Sequence, residues 1–336
     1  MTTDENITLE IIKKNKIKPP TYPENIYVAY MANDRDLKGV LLLDYNLKKV
    51  GSKYNFCVLL IENVSDKVRQ ILSDYGISSI NCNLNSTLSS FTTNQVLVNE
   101  IINKHYYGKY LVFSLEQFKK VIYLDTDLLL MSNIDHLFDY DLETTNGNSI
   151  SRLYMVNDMQ ASLQEDNKYC VVLTKNAFNS GVIIFKPNVN TTRFLFRELV
   201  NLGLDGFKNI NTDQDIFNSL IIKGILECTT LNMKYNISPS IVIDFLRKGY
   251  IDKPYVIHYM LKPKPWELLD GTCEKLVFSN PVSKHLYGLW ITTYNEMITS
   301  RYLSSQPGSD IYSEKYCYGA FSRDGLLVFN EITELE

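Results

Sequence analysis

Short, continuous apolar runs alternate along this chain with stretches whose apolar residues recur at helical spacing. NIYVAYM, Asn25 to Met31, has the length and character of a strand buried on both faces. A polar NDRD loop follows and opens into a helix through GVLLLDYNLKKV. FCVLLIENV is the second strand, and SDKVRQILSDYG a second helix with a Ser or Asp cap and a Gly stop. SSINCNL is a short third strand, and HYYGKYLVFSLEQF a helical segment feeding the strand VIYLDTDLLL, Val121 to Leu130. Beyond it lie a strand GVIIFKP, a helix VNTTRFLFRELVNLG, and a strand KPYVI leading to His258. The polar stretch from Glu143 to Asn176 is expected to be irregular, an excursion or lid. This alternation predicts an α/β fold: an open, mostly parallel sheet with helices on both faces, binding ligands beyond the carboxyl ends of its strands.

Three segments follow from that pattern. Residues 1–24 form a lead-in closed by Pro19, Pro20 and Pro23, residues 25–275 the α/β domain, and residues 276–336 a helical C-terminal extension. With 45% hydrophobic and 21% charged residues among 336, the chain has material for a real core and does not read as disordered. A net charge of −4 leaves no nucleic-acid footprint. The bias towards Asn, Ile, Lys and Tyr points to AT-rich coding, as in a large DNA virus or a protist. Six scattered cysteines without a CxxC pair predict reduced thiols, with no zinc site or disulfide framework. The polar N-terminus has no signal-peptide core, and no apolar run approaches the ~18 residues of a membrane span. The N-x-S/T sequons at Asn6, Asn63, Asn85, Asn190 and Asn236 are those expected by chance in an Asn-rich chain. A soluble, cytoplasmic protein is expected.

The candidate chemistry begins at Asp125 and Asp127. On a strand, positions i and i+2 share a face, so one divalent cation would relieve the cost of burying both carboxylates. A turn cap beside a solvated aspartate would give the same pair. In FNSGVIIF, Asn179 can bridge a sugar hydroxyl and Gly181 admits a backbone, although an ordinary turn has this composition too. Asp213, Gln214 and Asp215 stand at a helix start, either as first-turn acids or facing a bound sugar. His258, at a strand end, can add an imidazole to an oxygen-rich metal site and favours manganese over calcium. The other histidines, His105, His136 and His285, have no such setting. Lys262 and Lys264 can neutralise phosphate, Trp266 anchors their loop, and Lys109 is otherwise an ordinary helix lysine.

Taken in order, Asn33-Asp34, Lys109, Asp125-x-Asp127, Asn179-Ser180-Gly181, Asp213-Gln214 and His258 with KPW resemble glycosyltransferase family eight, to which glycogenin and bacterial lipopolysaccharide galactosyltransferases belong. The resemblance covers residues 25 to 270. It implies a GT-A fold and retaining transfer of a hexose or N-acetylhexosamine from a UDP-sugar, with manganese (or magnesium) on the diphosphate. It also implies a hydroxyl acceptor on a glycan, protein or glycolipid, and a homodimer as in glycogenin-like members. Asp125, Asp127 and His258 fall on the metal ligands, and Ala29, Met31, Asn33 and Asp34 on the uridine segment. Lys109, Asn179, Asp213 and Gln214 fall on donor-sugar contacts, with Thr126 and Ser180 inside the donor-binding motifs. Lys264 falls on the lysine that grips the diphosphate, and Asp158 on an acidic acceptor-side position.

There are departures. Leu261 stands where the family has a glycine, and a leucine at positive φ would be strained. That feature favours the alternative of a weak or inactive UDP-sugar-binding protein. No tyrosine matches glycogenin's self-glucosylated position. A phosphohydrolase also uses a strand-end DxD, but as DxDx[TV] near the domain start, whereas Leu129 fills the final position here. Neither sugar nor acceptor is named by these residues.

Overall fold

The computed structural model describes residues 24–304, apart from 146, 164–168, 209, 211 and 271–279. The lead-in before residue 24 and the extension beyond residue 304 lie outside the described residues. The chain divides into two compact units. The first comprises the residues up to Val40 with Ser52–Thr126 and Ile134–Met233; the second comprises Leu41–Gly51, Asp127–Asn133 and the residues from Lys234 onward.

The first unit is built on a seven-stranded sheet. Its strands are β1 (Asn25–Met31), β2 (Asn55–Leu60), β3 (Ser78–Asn81), β4 (Lys120–Leu124), β6 (Ser151–Leu163), β7 (Tyr169–Phe185) and β8 (Leu226–Leu231), in the order β3-β2-β1-β4-β7-β6-β8. Four of the six pairings are parallel, and β7 alone runs antiparallel to its neighbours. The strands of β1, β2 and β4 are nearly continuous apolar runs because helices cover both faces. Helix Asp66–Asp74 shows how these helices are specified: Ser65 accepts from the Val68 amide at its start, and Val68, Ile71 and Leu72 form its buried stripe. Each such side chain contributes roughly 1.5–3 kcal/mol by leaving water. Tyr110, Phe113, Phe185, Phe196 and Phe217 pack edge-on or tilted beneath β4 and β7, joining the helices Val189–Asn201 and Asp213–Ile222 to the sheet.

The second unit contains a two-stranded antiparallel sheet of β5 (Leu128–Leu130) and β9 (Val256–His258), with Leu128 paired to His258. Helix Pro281–Ser304 lies in this unit, where Trp266 and Trp290 meet at 5.8 Å and Trp290 stacks on Tyr294. Tyr259 donates to the Leu286 carbonyl at 2.6 Å, tying β9 to that helix. No helix among the described residues is long and apolar enough to cross a membrane.

Two expectations change. VIYLDTDLLL is not one strand: β4 stops at Leu124, Asp125-Thr126-Asp127 form a turn, and β5 belongs to the other sheet. The aspartate pair therefore owes its arrangement to a turn and not to strand alternation. Glu143–Asn176 is mostly not irregular, because most of it lies in the long antiparallel pair β6–β7. Polar composition by itself does not separate a paired strand from an irregular segment. The expected helical segment is present as a 3-10 helix, Tyr106–Ser114, entered through His105 at φ 63°.

Candidate active site

Two register shifts in the β6–β7 pairing place much of the chemistry of the first unit. Met155 faces Ile183 but Val156 faces Asn179, so Ser180, Gly181 and Val182 are surplus on the β7 side. A second shift falls between Asn157 and Met159, at Asp158. Bulges of this kind turn side chains out of the ladder and re-aim them. At the first, the Gly181 carbonyl accepts from the Asp125 amide at 2.9 Å, which ties the end of β4 to the Asn179-Ser180-Gly181 segment.

Lys109 sits at the centre of this cluster and is buried. Its ammonium lies 3.0 Å from Asp125 Oδ1 and 2.8 Å from Asp213 Oδ2, and it donates to Ser180 Oγ at 3.2 Å. Ser180 Oγ donates to Asp213 Oδ2 at 2.6 Å, and Tyr123 donates to Asp125 Oδ1 at 2.6 Å. Burial works against the charge on Lys109, but Asp125 and Asp213 outweigh it and hold its pKa above the ordinary lysine range. Lys109 and Asp213 are thus engaged with one another. Lys109 and Asp213 together contact Asp125 and Ser180.

Gln214 is the second residue of helix Asp213–Ile222, whose start is closed by Thr212 and Asp215 as a capping box. Asn179 Nδ2 donates to Gln214 Oε1 at 3.3 Å, and Gln214 Nε2 donates to Asp158 Oδ2 at 3.0 Å. The structure therefore brings Lys109, Asp125, Ser180 and Asp213 into one cluster and Asn179 and Gln214 into a second, and the Gly181 backbone joins the two, its carbonyl accepting from the Asp125 amide and its amide donating to Asn179 Oδ1. Ala29 and Met31, which the resemblance assigns to uridine, are fully buried in β1, so their side chains belong to the core. Asn33 Oδ1 accepts from the Arg35 amide, and Asp34 Oδ1 accepts from the Ser65 amide at 2.9 Å, fixing the loop after β1.

In the second unit, the buried Asp127 meets two cationic or potentially cationic partners. His258 Nε2 lies 3.1 Å from Asp127 Oδ1 and Lys264 Nζ 2.5 Å from Oδ2. Burial would raise the Asp127 carboxyl, but His258 and Lys264 hold it well below the usual carboxylate range. Lys264 Nζ also donates to the carbonyls of Tyr259 at 2.8 Å and Met260 at 3.1 Å. His258 Nδ1 lies 2.7 Å from Asn236 Oδ1, so Asn236 and Asp127 hold the two nitrogens of the ring from opposite sides. Leu261 is 62% exposed, and the one non-glycine residue at positive φ among those described is His105. The strain expected at Leu261 is absent because its loop takes a path that needs no glycine.

Tyr123 and Asn236 are not site residues on the sequence reading, where Asn236 figures only as a sequon. Tyr123 carried a signal, standing two residues before Asp125 in the same apolar run; Asn236 carried none, being 22 residues from the histidine it holds.

Comparison with known proteins gives these features a family. Galactinol synthase 4 of Arabidopsis thaliana is 29% identical over 196 residues, covering 53% of this chain and 56% of that protein. Glycogenin-2 of Homo sapiens is 25% identical over 304 residues, covering 86% of this chain and 54% of that protein. The chain thus spans a little over half the length of these curated relatives. Among solved structures, galactosyltransferase LgtC in complex with donor and acceptor sugar analogues matches with a TM-score of 0.52 at 18% identity, covering 85% of this chain and 98% of that one. That likeness establishes the GT-A type of fold. The model of glycosyl transferase family 8 matches residues 26–269, which includes every candidate residue from Ala29 to Lys264. The chain therefore belongs to glycosyl transferase family 8 and is by family a glycosyltransferase.

Proposed function

We propose that this chain transfers a hexose or N-acetylhexosamine from a UDP-sugar to a hydroxyl of a glycan, protein or glycolipid, with retention of configuration. The observation that carries this reading is the span of the family match, which runs unbroken from the uridine segment through Lys264.

The metal follows from the donor set. With its proton on Nδ1, beside Asn236 Oδ1, His258 turns Nε2 as a second acceptor towards Asp127 Oδ1, 3.1 Å away, and the two can share one cation. Asp125 stands one residue from Asp127 in the chain, so a divalent ion of the manganese or magnesium type fits Asp125, Asp127 and His258. Such an ion, when bound, supplies Lewis-acid stabilisation of the diphosphate. Lys264 adds positive charge against the developing UDP anion. Asn33 and Asp34 shape the loop beside the uridine, while Lys109 and Asp213 hold the acidic end of β4 rigid. Asn179 and Gln214 border the donor sugar, where Gln214 Oε1 stabilises an oxocarbenium-like centre in front-face substitution; a carboxamide is too weak a nucleophile for double displacement. The backbone at Leu261 has no positive φ, which supports an active enzyme over the alternative of a weak or inactive UDP-sugar-binding protein.

The test is UDP release from UDP-glucose, UDP-galactose and UDP-N-acetylglucosamine with and without manganese, together with mass analysis of the protein for self-modification. Manganese-dependent release from at least one donor is expected. No release from any of them under any acceptor screen would sink the reading.

A further inference from the structure

We propose that Asp158 is a positioning residue that decides which end of the Gln214 carboxamide faces the donor sugar, an inference that rests on the placement of Gln214 beside that sugar. A carboxamide has an acceptor end and a donor end of nearly the same shape, so its partners choose its orientation. Here the choice is made at both ends of a chain of hydrogen bonds. The Gly181 amide, which can only donate, donates to Asn179 Oδ1 at 2.9 Å. Asn179 must then present Nδ2 to Gln214 Oε1, at 3.3 Å. Gln214 in turn directs Nε2 at Asp158 Oδ2, a carboxylate oxygen that accepts, at 3.0 Å. A donor-only group at one end and an acceptor at the other leave both carboxamides a single self-consistent orientation.

The backbone holds this chain of contacts in place. Asn179 and Asp158 stand at the two register shifts of the β6–β7 pair, and Gln214 is in the capped first turn of its helix. The consequence is chemical. Transfer with retention builds positive charge at the anomeric carbon, which an amide oxygen stabilises and an amide N–H opposes. By drawing the NH2 of Gln214 to itself, Asp158 leaves Oε1 on the Asn179 side and polarises the amide so that this oxygen is richer in electrons. Asp158 acts on the reaction through Gln214.

The experiment compares Asp158→Ala, Asp158→Asn, Gln214→Glu and the double variant Gln214→Glu/Asp158→Asn. Each is assayed for UDP release from the three UDP-sugars with manganese, with kcat and donor KM determined separately. Asp158→Ala is expected to lower kcat at least about tenfold while donor KM shifts less than about threefold. Asp158→Asn keeps an oxygen for Gln214 Nε2 and should exceed Asp158→Ala in kcat at least about fivefold. Gln214→Glu sets two carboxylates against one another, and adding Asp158→Asn, whose amide can turn its N–H to the new carboxylate, should raise kcat above that of the single Gln214→Glu variant. Should Asp158→Ala not fold, the two Asn-bearing variants still carry the comparison. An Asp158→Asn variant no better than Asp158→Ala would make Asp158 a proton acceptor and overturn the proposal. So would an Asp158→Ala variant equal to wild type, or a double variant no better than Gln214→Glu. A wild-type protein that releases no UDP from any donor would refute the donor reading itself, and the proposal with it.

Discussion

The Lys109 ammonium lies 2.8 Å from the Asp213 carboxylate, with both side chains nearly withdrawn from solvent. Asp125 completes the arrangement at 3.0 Å, so one buried cation balances two carboxylates. Removing it would leave both carboxylates uncompensated, a defect worth about 3–5 kcal/mol. Lys109→Met is therefore expected to lower the thermal unfolding midpoint clearly as well as activity. A variant that unfolds at the wild-type temperature would show that Lys109 is not the counter-ion of this cluster.

Asp125 and Asp127 are the most direct test of the metal assignment. Asp125→Ala and Asp127→Ala are each expected to reduce manganese-dependent UDP release by about 100-fold or more. Manganese titration by calorimetry should lose its binding isotherm in parallel. Full activity in either variant would remove that residue from the ligand set.

Asn236 supports the same site from behind the His258 ring, at 2.7 Å from Nδ1. Outer partners of ligating histidines fix ring orientation and tautomer, and losing one costs about 10–100-fold in metal affinity. Asn236→Ala should weaken manganese binding by that order. Unaltered affinity would mean the ring is held by packing alone.

Burial pushes the thiols of Cys57, Cys82 and Cys228 up to about 12. The same effect raises the phenols of Tyr30, Tyr110 and Tyr259 well above their usual value. In the unfolded chain the thiols lose their protons near pH ~8.5, whereas the folded protein retains them. Above that pH the folded state binds more protons than the unfolded state, so stability falls as pH rises from ~8.5 towards the folded values. The urea midpoint should be flat just below this window and decline through it, and iodoacetamide should label these thiols slowly at pH 8. A midpoint that climbs between pH 8.5 and 10 would contradict the burial of these groups.

Leu261 is exposed and free of positive φ, so Leu261→Gly gains nothing from relief of strain. The extra freedom of glycine in the unfolded chain should cost roughly 0.4–1 kcal/mol. Denaturant unfolding checks this; a stabilised variant would mean the leucine is strained after all.

Strands β1, β2 and β4 were legible because each is a short apolar run, and helix Asp66–Asp74 because Ser65 caps an amphipathic stripe. The turn at Asp125-Thr126-Asp127 was not, since β4 and β5 are apolar on both sides of it and hydrophobicity cannot mark where one sheet ends and another begins. The β6–β7 pairing was missed for another reason: a polar stretch has the same composition whether it pairs as strands or runs as a loop.

The linear order of residues settled the family, the α/β class and the types of side chain at the site, because local periodicity and motif spacing are properties of the chain itself. Tertiary structure alone decided what those side chains do to one another. Lys109 meets Asp213 across 104 residues of sequence and Gln214 meets Asp158 across 56, and such contacts depend on bulges and strand register that no local pattern encodes. A carboxamide's orientation and a carboxylate's charge are set by neighbours in space, and sequence distance carries no information about them.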